Sequence, residues 1–376
     1  MQIKFNPFYI ITPVIAHYLM RIEALKEHIT HLPINVTVLA SLRETARLYT
    51  THYSTMIEGN RLSTEQVEEV IKYKGHFPGR ERDENEVKGY YAALHYVEQC
   101  AARGNPVSEA IIQKIHALVM SATMKKQDEG TYRDGQNVIR DGRTGAIVYL
   151  PPEAKDVPGL MRGLVQWIIS TQKTIPCPIV AAIVHYQFAT IHPYYDGNGR
   201  TARLLTTLVL HLGGYDLKGL YSLEEYYARN LSAYYEAISV GPSHNYYEGR
   251  VESDITQWVE YFVSGMAHSF EKVAKQMSRS AGIAGEDHET LLRELDPKKR
   301  KVLELFKQFA MVTSAQVGQL FGFKSRTSAQ LCKDWVEEGF LVVANPSNKK
   351  RSYTLASRYE ILVMSSLKKA DYFDSH

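Results

Sequence analysis

Apolar residues recur at three- and four-residue intervals through most of the first 275 positions, the periodicity of helices that each bury one face. Residues 39–59 (LASLRETARLYTTHYSTMIEG) and 63–74 (STEQVEEVIKYK) follow it, and Ser63 with Gln66 three places on predicts a capping box at the second start. Residues 84–104 close on Gly104, and residues 108–123 begin just after Pro106, the punctuation expected at helix ends. The apolar runs around 179–191 and 204–212 are helix-length, separated by a short glycine-bearing loop. One stretch breaks the rhythm. In residues 130–152, Val138-Ile139 and Ala146-Ile147-Val148-Tyr149 flank DGRTG and end at Pro151-Pro152, which predicts a lone β-hairpin. Two strands alone are marginal in water, so this hairpin is expected to rest on helices and present an edge.

The pattern changes beyond residue 277. Residues 278–296 hold small, polar and glycine residues and read as a linker. After Pro297 three short amphipathic segments follow, KKRKVLELFKQFA, TSAQVGQLFGF and SRTSAQLCKDWVEEGFL, then LVVA and SYTL around a polar turn. Three helices and a two-stranded wing form the plan of a winged helix-turn-helix. The expected organisation is thus mainly α: a helical region over 1–100 that includes a helix at about 40–59, a helical core with its hairpin over 101–277, the linker 278–296, and the winged unit 297–376.

Composition alters little. The 376 residues are 44% hydrophobic and 23% charged, ordinary for a globular chain. Cys100, Cys177 and Cys332 are odd in number and far apart, which fits neither a disulfide framework nor a zinc ribbon and favours a reducing, cytoplasmic setting. No apolar run reaches the ~20 residues of a membrane span, so no membrane partner is expected. The first residues, MQIKFNPFYIITPVIAHYLM, lack the features of a signal peptide. The net charge of +3 is unevenly spread: residues 297–358 carry 12 Lys/Arg against 4 Asp/Glu, leaving the remainder at −5.

The candidate chemistry gathers in residues 191–205, IHPYYDGNGRTARLL. Gly197, Gly199 and Ala202 formally match a dinucleotide-binding fingerprint, but no strand precedes them and no βαβ unit surrounds them, so that reading fails. What remains is a glycine turn opening a helix. The backbone N–H groups of 197–199 lack helical partners there, and the dipole favours an anion. Arg200 and Arg203, three apart, supply guanidinium forks toward one face. Asp196 suits a hard cation such as Mg²⁺ beside phosphate, and His192 suits a general base. Taken singly, each of these residues has a bland account as a cap or surface ion pair. Crowded into thirteen positions, they point to phosphate chemistry.

HPYYDGNGRTAR closely resembles the signature of Fic domain proteins, H-x-F-x-[DE]-G-N-[GK]-R-x-x-R, with Tyr194 at the usual phenylalanine. The resemblance spans roughly residues 40–265. It implies a mainly α Fic-type fold and transfer of AMP from ATP to a Ser, Thr or Tyr hydroxyl of a target protein. By position, His192 would deprotonate that hydroxyl, Asp196 would hold Mg²⁺, Gly197, Asn198, Gly199 and Arg200 would cradle phosphates, and Arg203 would meet the γ-phosphate. Tyr234 and Tyr235 would flank the purine; the alternative is helix packing, since YYARNLSAYY repeats its tyrosine pairs eight apart. The hairpin, through Val138, Ile139, Ile147 and Val148, would be the flap that aligns the target by strand addition, a purely structural hairpin being the alternative. Upstream, STMIEGN resembles the Fic inhibitory motif [ST]-x-x-x-E-[GN], which assigns Ser54, Glu58 and Gly59. A Glu58 carboxylate paired with Arg203 would occupy the cation intended for phosphate.

The C-terminal plan resembles the unit attached to many Fic proteins. In that geometry Arg326, Thr327, Ser328 and Gln330 would reach DNA bases, and Lys349, Lys350 and Arg351 phosphates. Docking to protein, including a second copy as a homodimer, is the alternative. A nucleotide-sensing transcriptional regulator is the rival function, although a sensor needs no base at His192.

Overall fold

The computed structural model describes residues 5–32, 36–121, 130–140, 144–284, 291–292, 294–306, 309, 311–345, 347 and 351–364. Two compact units emerge, one of Met1–Leu32 with Ala40–Gln276 and one of Pro33–Leu39 with Met277–His376.

In the first unit, α1 (Pro13–His31) is capped by Thr12, whose hydroxyl accepts from the Ile15 N–H, with proline in its first turn. Next come α2 (Val36–Ile57), α3 (Thr64–Lys72), α4 (Glu81–Ala102) and α5 (Glu109–Met120). The capping box at Ser63 and Gln66 forms as its spacing predicts. The hairpin β1 (Ile139–Arg140) and β2 (Ile147–Tyr149) follows, antiparallel and irregular between Ile139 and Arg140. After it come α6 (Val157–Thr171), α7 (Cys177–Ile191), α8 (Asn198–Leu212), α9 (Leu223–Arg229), α10 (Leu231–Ile238) and α11 (Thr256–Ala284). No helix among the described residues is long and apolar enough to cross a membrane.

α7 lies at the centre. It is buried nearly all round, including His185 and Gln187, and an apolar helix without a polar stripe has no solvent face. Its Ala182 carbonyl accepts the indole N–H of Trp258 from α11 at 2.7 Å. α8 runs next to it, joined to it by residues 192–197.

Two readings of helical extent change. α11 continues as helix to Ala284, through the first part of the stretch read as a linker. The tyrosine-rich segment is not one helix: Asn230 leaves helical geometry at φ −142° and ψ 78°, and its carboxamide accepts the Ala233 N–H to cap α10. A local side-chain bond of this kind competes with helix continuation, so the eight-residue repeat does not return to one face.

In the second unit, α12 (Pro297–Phe306), β3 (Val312–Thr313), α13 (Ser314–Phe321), α14 (Ser325–Glu337), β4 (Leu341–Asn345), β5 (Ser352–Leu355) and α15 (Ser357–Met364) enclose a core of Val302, Phe306, Val317, Cys332, Trp335 and Phe340. The sheet has three antiparallel strands in the order β3-β5-β4, where the sequence suggested two; Val312 pairs with Tyr353 just before the Thr313 cap of α13.

Candidate active site

α7 ends at His192, whose N–H bonds the Phe188 carbonyl at 3.0 Å while its backbone turns left-handed, φ 51° and ψ 60°. Non-glycine residues seldom adopt that conformation, and one held there signals surroundings that enforce it. The ring Nδ1 lies 3.3 Å from the Ala189 carbonyl. A carbonyl only accepts, so Nδ1 carries the proton and the Nε2 lone pair is the one available to take another. Burial pushes the imidazole down to about 4, helped by the Arg133 charge and opposed by Glu58 and Asp196, so the ring is neutral near pH 7.

The turn after His192 is locked from within. Asn198 is buried; its carboxamide accepts the Tyr194 N–H at 2.9 Å and donates to the Tyr194 carbonyl at 2.7 Å. Each polar atom of that side chain makes a bond within the loop, and the backbone N–H of Asn198 stands at the open start of α8. Gly197 sits at φ 75°, where a Cβ would stand 2.7 Å from the Met120 sulfur. The Tyr194 ring stacks on His116, 3.5 Å between centroids and 6° apart in plane. Its hydroxyl has no hydrogen-bond partner among the described residues, although the aromatic anchor itself is in place.

His116, which the sequence reading passed over, braces the same turn. Its Nδ1 accepts the Gly130 N–H at 3.2 Å, so Nε2 bears the proton and donates to the Asp196 carbonyl at 3.0 Å. Burial drives its pKa to about 4. Nothing about a lone histidine inside an amphipathic helix sets it apart in one dimension; only the fold brings it under the loop.

α8 opens at Asn198, so the N–H groups of its first turn have no partner within the helix. Arg200 is buried, with Nη2 3.2 Å from Asp196 Oδ1 and Nη1 4.0 Å from Glu86. Asp196 is half exposed; its Oδ1 also accepts the Gly197 N–H at 2.5 Å. Among the described residues no cluster of three or more His, Cys, Asp or Glu could by itself hold a metal ion. The half-exposed carboxylate of Asp196 is a hard oxygen donor of the kind Mg²⁺ takes beside phosphate and water.

Arg203 is 1% exposed and engaged from α2: Nε donates to Ser54 Oγ at 2.7 Å, and Nη2 to the Ser54 carbonyl at 2.9 Å and to Glu58 Oε1 at 2.8 Å. Burial works against its charge, yet Glu58 raises its pKa overall. Glu58 itself is the last residue before a left-handed glycine. The Gly59 N–H bonds the Met56 carbonyl at 2.9 Å and the Asn60 N–H the Thr55 carbonyl at 3.1 Å, with Gly59 at φ 93°, which is the Schellman termination. The helix end aims the carboxylate. A Cβ added to Gly199 would collide with Glu58 Oε1, so that oxygen lies directly on the backbone of the first turn of α8. A cleft of about 380 Å³ opens beside it, lined by Glu58, Arg61, Arg80, Arg82 and Glu86 among others.

Of the two tyrosines expected at a purine, Tyr234 is buried, with its hydroxyl 2.9 Å from His185 Nε2 and its ring stacked on Tyr227 at 4.8 Å. Only Tyr235, 47% exposed, has an open face. In the hairpin Ile147 and Val148 are exposed, whereas Val138 precedes β1 rather than belonging to it. The outer side of β2 is occupied near its end, where the Leu150 N–H bonds the His244 carbonyl at 2.7 Å and the Tyr246 N–H returns to Leu150. Among the described residues β1 has no second neighbour, so the open edge runs along Ile139–Arg140.

In the second unit Arg326, Thr327 and Arg351 are exposed, but Ser328 is buried, its hydroxyl turned back to the Ser325 carbonyl at 3.1 Å. Ser328 therefore faces the core rather than a ligand, and Gln330 spends its amide on Asp334 at 2.8 Å. Lys349 and Lys350 lie outside the described residues.

Residues 106–210 match the model of the Fic/DOC family. A protein adenylyltransferase Fic of Nematostella vectensis is 32% identical over 167 residues, 44% of this chain and 37% of that protein. Protein adenylyltransferase fic-1 of Caenorhabditis elegans is 31% identical over 217 residues, 56% of this chain and 41% of the relative. The chain thus spans about two fifths of the length of these curated relatives. Among solved structures, a Fic family protein from Desulfovibrio desulfuricans G20 aligns over 93% of this chain and 98% of its own, with a TM-score of 0.62 at 22% identity. Residues 134–508 of C. elegans Fic-1 align over 71% of this chain and 74% of that one, TM-score 0.57 at 23% identity. Both establish the shared helical fold.

Proposed function

We propose that this chain is a protein adenylyltransferase, moving AMP from ATP to a hydroxyl side chain of a target protein, and that Glu58 holds it inactive. The observation that carries the reading is the seat of the Glu58 carboxylate, against Gly199 and on Arg203, where an anion belongs. A carboxylate stands there as a triphosphate oxygen would, using the same guanidinium and the same helix N-terminus.

With ATP in that place, the target hydroxyl oxygen attacks the α-phosphorus, its proton passes to Nε2 of His192, and the bond to pyrophosphate breaks. The first-turn N–H groups of α8 and the Arg203 guanidinium balance charge on the phosphates. Asp196 would hold Mg²⁺, which neutralises phosphate charge when bound. Tyr235 offers the exposed aromatic face for the base, and the β1 edge with Ile147 and Val148 offers backbone and apolar contacts to an extended target segment. The second unit serves in this reading as a winged-helix targeting or regulatory module, with Arg326 and Arg351 as exposed cations for DNA. Residues through about 100 supply the inhibitory helix, and those from 101 the catalytic core.

Incorporation of label from α-labelled ATP into protein tests this, comparing wild type, Glu58→Gly and Glu58→Gly with His192→Ala. The expected order is low, high, none. Equal incorporation in the first two removes the inhibitory role, and survival of transfer without His192 removes the base.

A further inference from the structure

Arg133 lies in the loop before the hairpin, 3% exposed, and among the described residues its side chain bonds to backbone oxygens. Its Nε donates to the His192 carbonyl at 2.9 Å, Nη1 to Gly135 at 3.0 Å, and Nη2 to Pro152 and, at 3.5 Å, to Ile191. Its own N–H donates to the Pro193 carbonyl at 2.9 Å. Among the described residues no carboxylate forms an ion pair with it. A buried guanidinium satisfied by carbonyls alone is a bracket: the planar fork fixes several peptide groups at once, which a lysine's compact ammonium does not reproduce.

What the bracket joins is specific. Ile191, His192 and Pro193 are consecutive, and the middle one holds the left-handed conformation that aims the imidazole. Gly135 and Pro152 stand at the two roots of the hairpin. The Tyr149 hydroxyl bonds the Thr190 carbonyl at 2.9 Å and the Asn137 amide the Tyr194 carbonyl at 3.2 Å, so further ties run parallel to it. We propose that Arg133 is a positioning residue for AMP transfer, which holds the base in its strained backbone state and registers the target-aligning hairpin against it. This rests on the transferase reading. In this reading the nucleotide is held by the first turn of α8, Arg203 and Tyr235, to none of which Arg133 bonds among the described residues, so its removal should disturb the transfer step far more than nucleotide binding.

The test uses the full chain with Glu58→Gly as parent, and adds Arg133→Lys and Arg133→Gln. The expected result is a fall in kcat of ~30–100-fold, the range that loss of alignment commands, with ATP affinity by calorimetry within about threefold of the parent. Ring ¹⁵N spectra, with the His192 signals identified by their loss in His192→Ala, should report a single Nδ1–H tautomer in the parent and a mixture in both Arg133 variants. Unchanged kcat and spectra overturn the proposal. So does joint loss of ATP binding and the thermal unfolding transition, which marks Arg133 as a general support. If the parent transfers no AMP yet the His192 tautomer still shifts in Arg133→Lys, the transferase reading fails and the positioning role stands.

Discussion

Glu58 and Arg203 meet at 2.8 Å although 145 residues separate them, a solvent-reachable carboxylate set on a guanidinium that is 1% exposed. The cation must be partnered, because an unpaired buried charge is costly. It can be partnered by Glu58 or by phosphate, and in that choice lies the proposed control.

Removing the carboxylate should therefore tighten nucleotide binding and lower stability together. Glu58→Gly is expected to raise ATP affinity by roughly tenfold or more, the scale of one charge-assisted bond. Its melting temperature without nucleotide should fall by a few degrees and return with ATP by mass action. Calorimetry and thermal scans of the same preparation check both; an unchanged Kd contradicts the competition.

Gly59 makes a subtler test. At φ 93° an alanine is strained by about 1–2 kcal/mol, although no atom lies within 4 Å of its added Cβ. Gly59→Ala should loosen the Schellman end, let Glu58 swing, and raise basal AMP incorporation while leaving every group in contact with nucleotide intact. Incorporation at the wild-type level would show that the helix end does not aim the carboxylate.

The pH dependence of transfer should be unusual. His192 titrates at about 4, so the base stays neutral well below pH 6.5. Initial rates of Glu58→Gly are expected to stay flat from pH 8 to about 5.5. Because Glu58 raises the ring's pKa, its removal moves the acid limb further down rather than up. An acid limb centred near 6.5 would mean a solvated imidazole.

Stability should nevertheless fall over that range. His116 and His185 are fully buried, at about 4 and about 3, whereas an unfolded histidine titrates near 6.5. As pH drops below 6.5 the unfolded chain takes up protons that the folded one refuses, so stability present above that value is lost. Between pH 7 and 5.5 each should cost roughly 1 kcal/mol. Urea midpoints at the two values measure it; equal midpoints would mean that both rings accept protons in place.

By itself the sequence determined many of the helices, the caps at Ser63 and Thr313, the hairpin and the signature from His192 to Arg203, because these depend on residues a few places apart. Periodicity, the Ser63 box and glycine punctuation are local properties, and the motif is contiguous. It also marked Glu58, through a second contiguous motif. Tertiary structure alone decided what each side chain faces. Asn198 is spent on Tyr194, Tyr234 is turned into the core on His185, and Ser328 bonds its own helix, all of them polar groups claimed by neighbours that burial supplies. His116 and Arg133 are the converse, ordinary in one dimension and placed by the fold, because each satisfies backbone groups brought to it from distant stretches of chain.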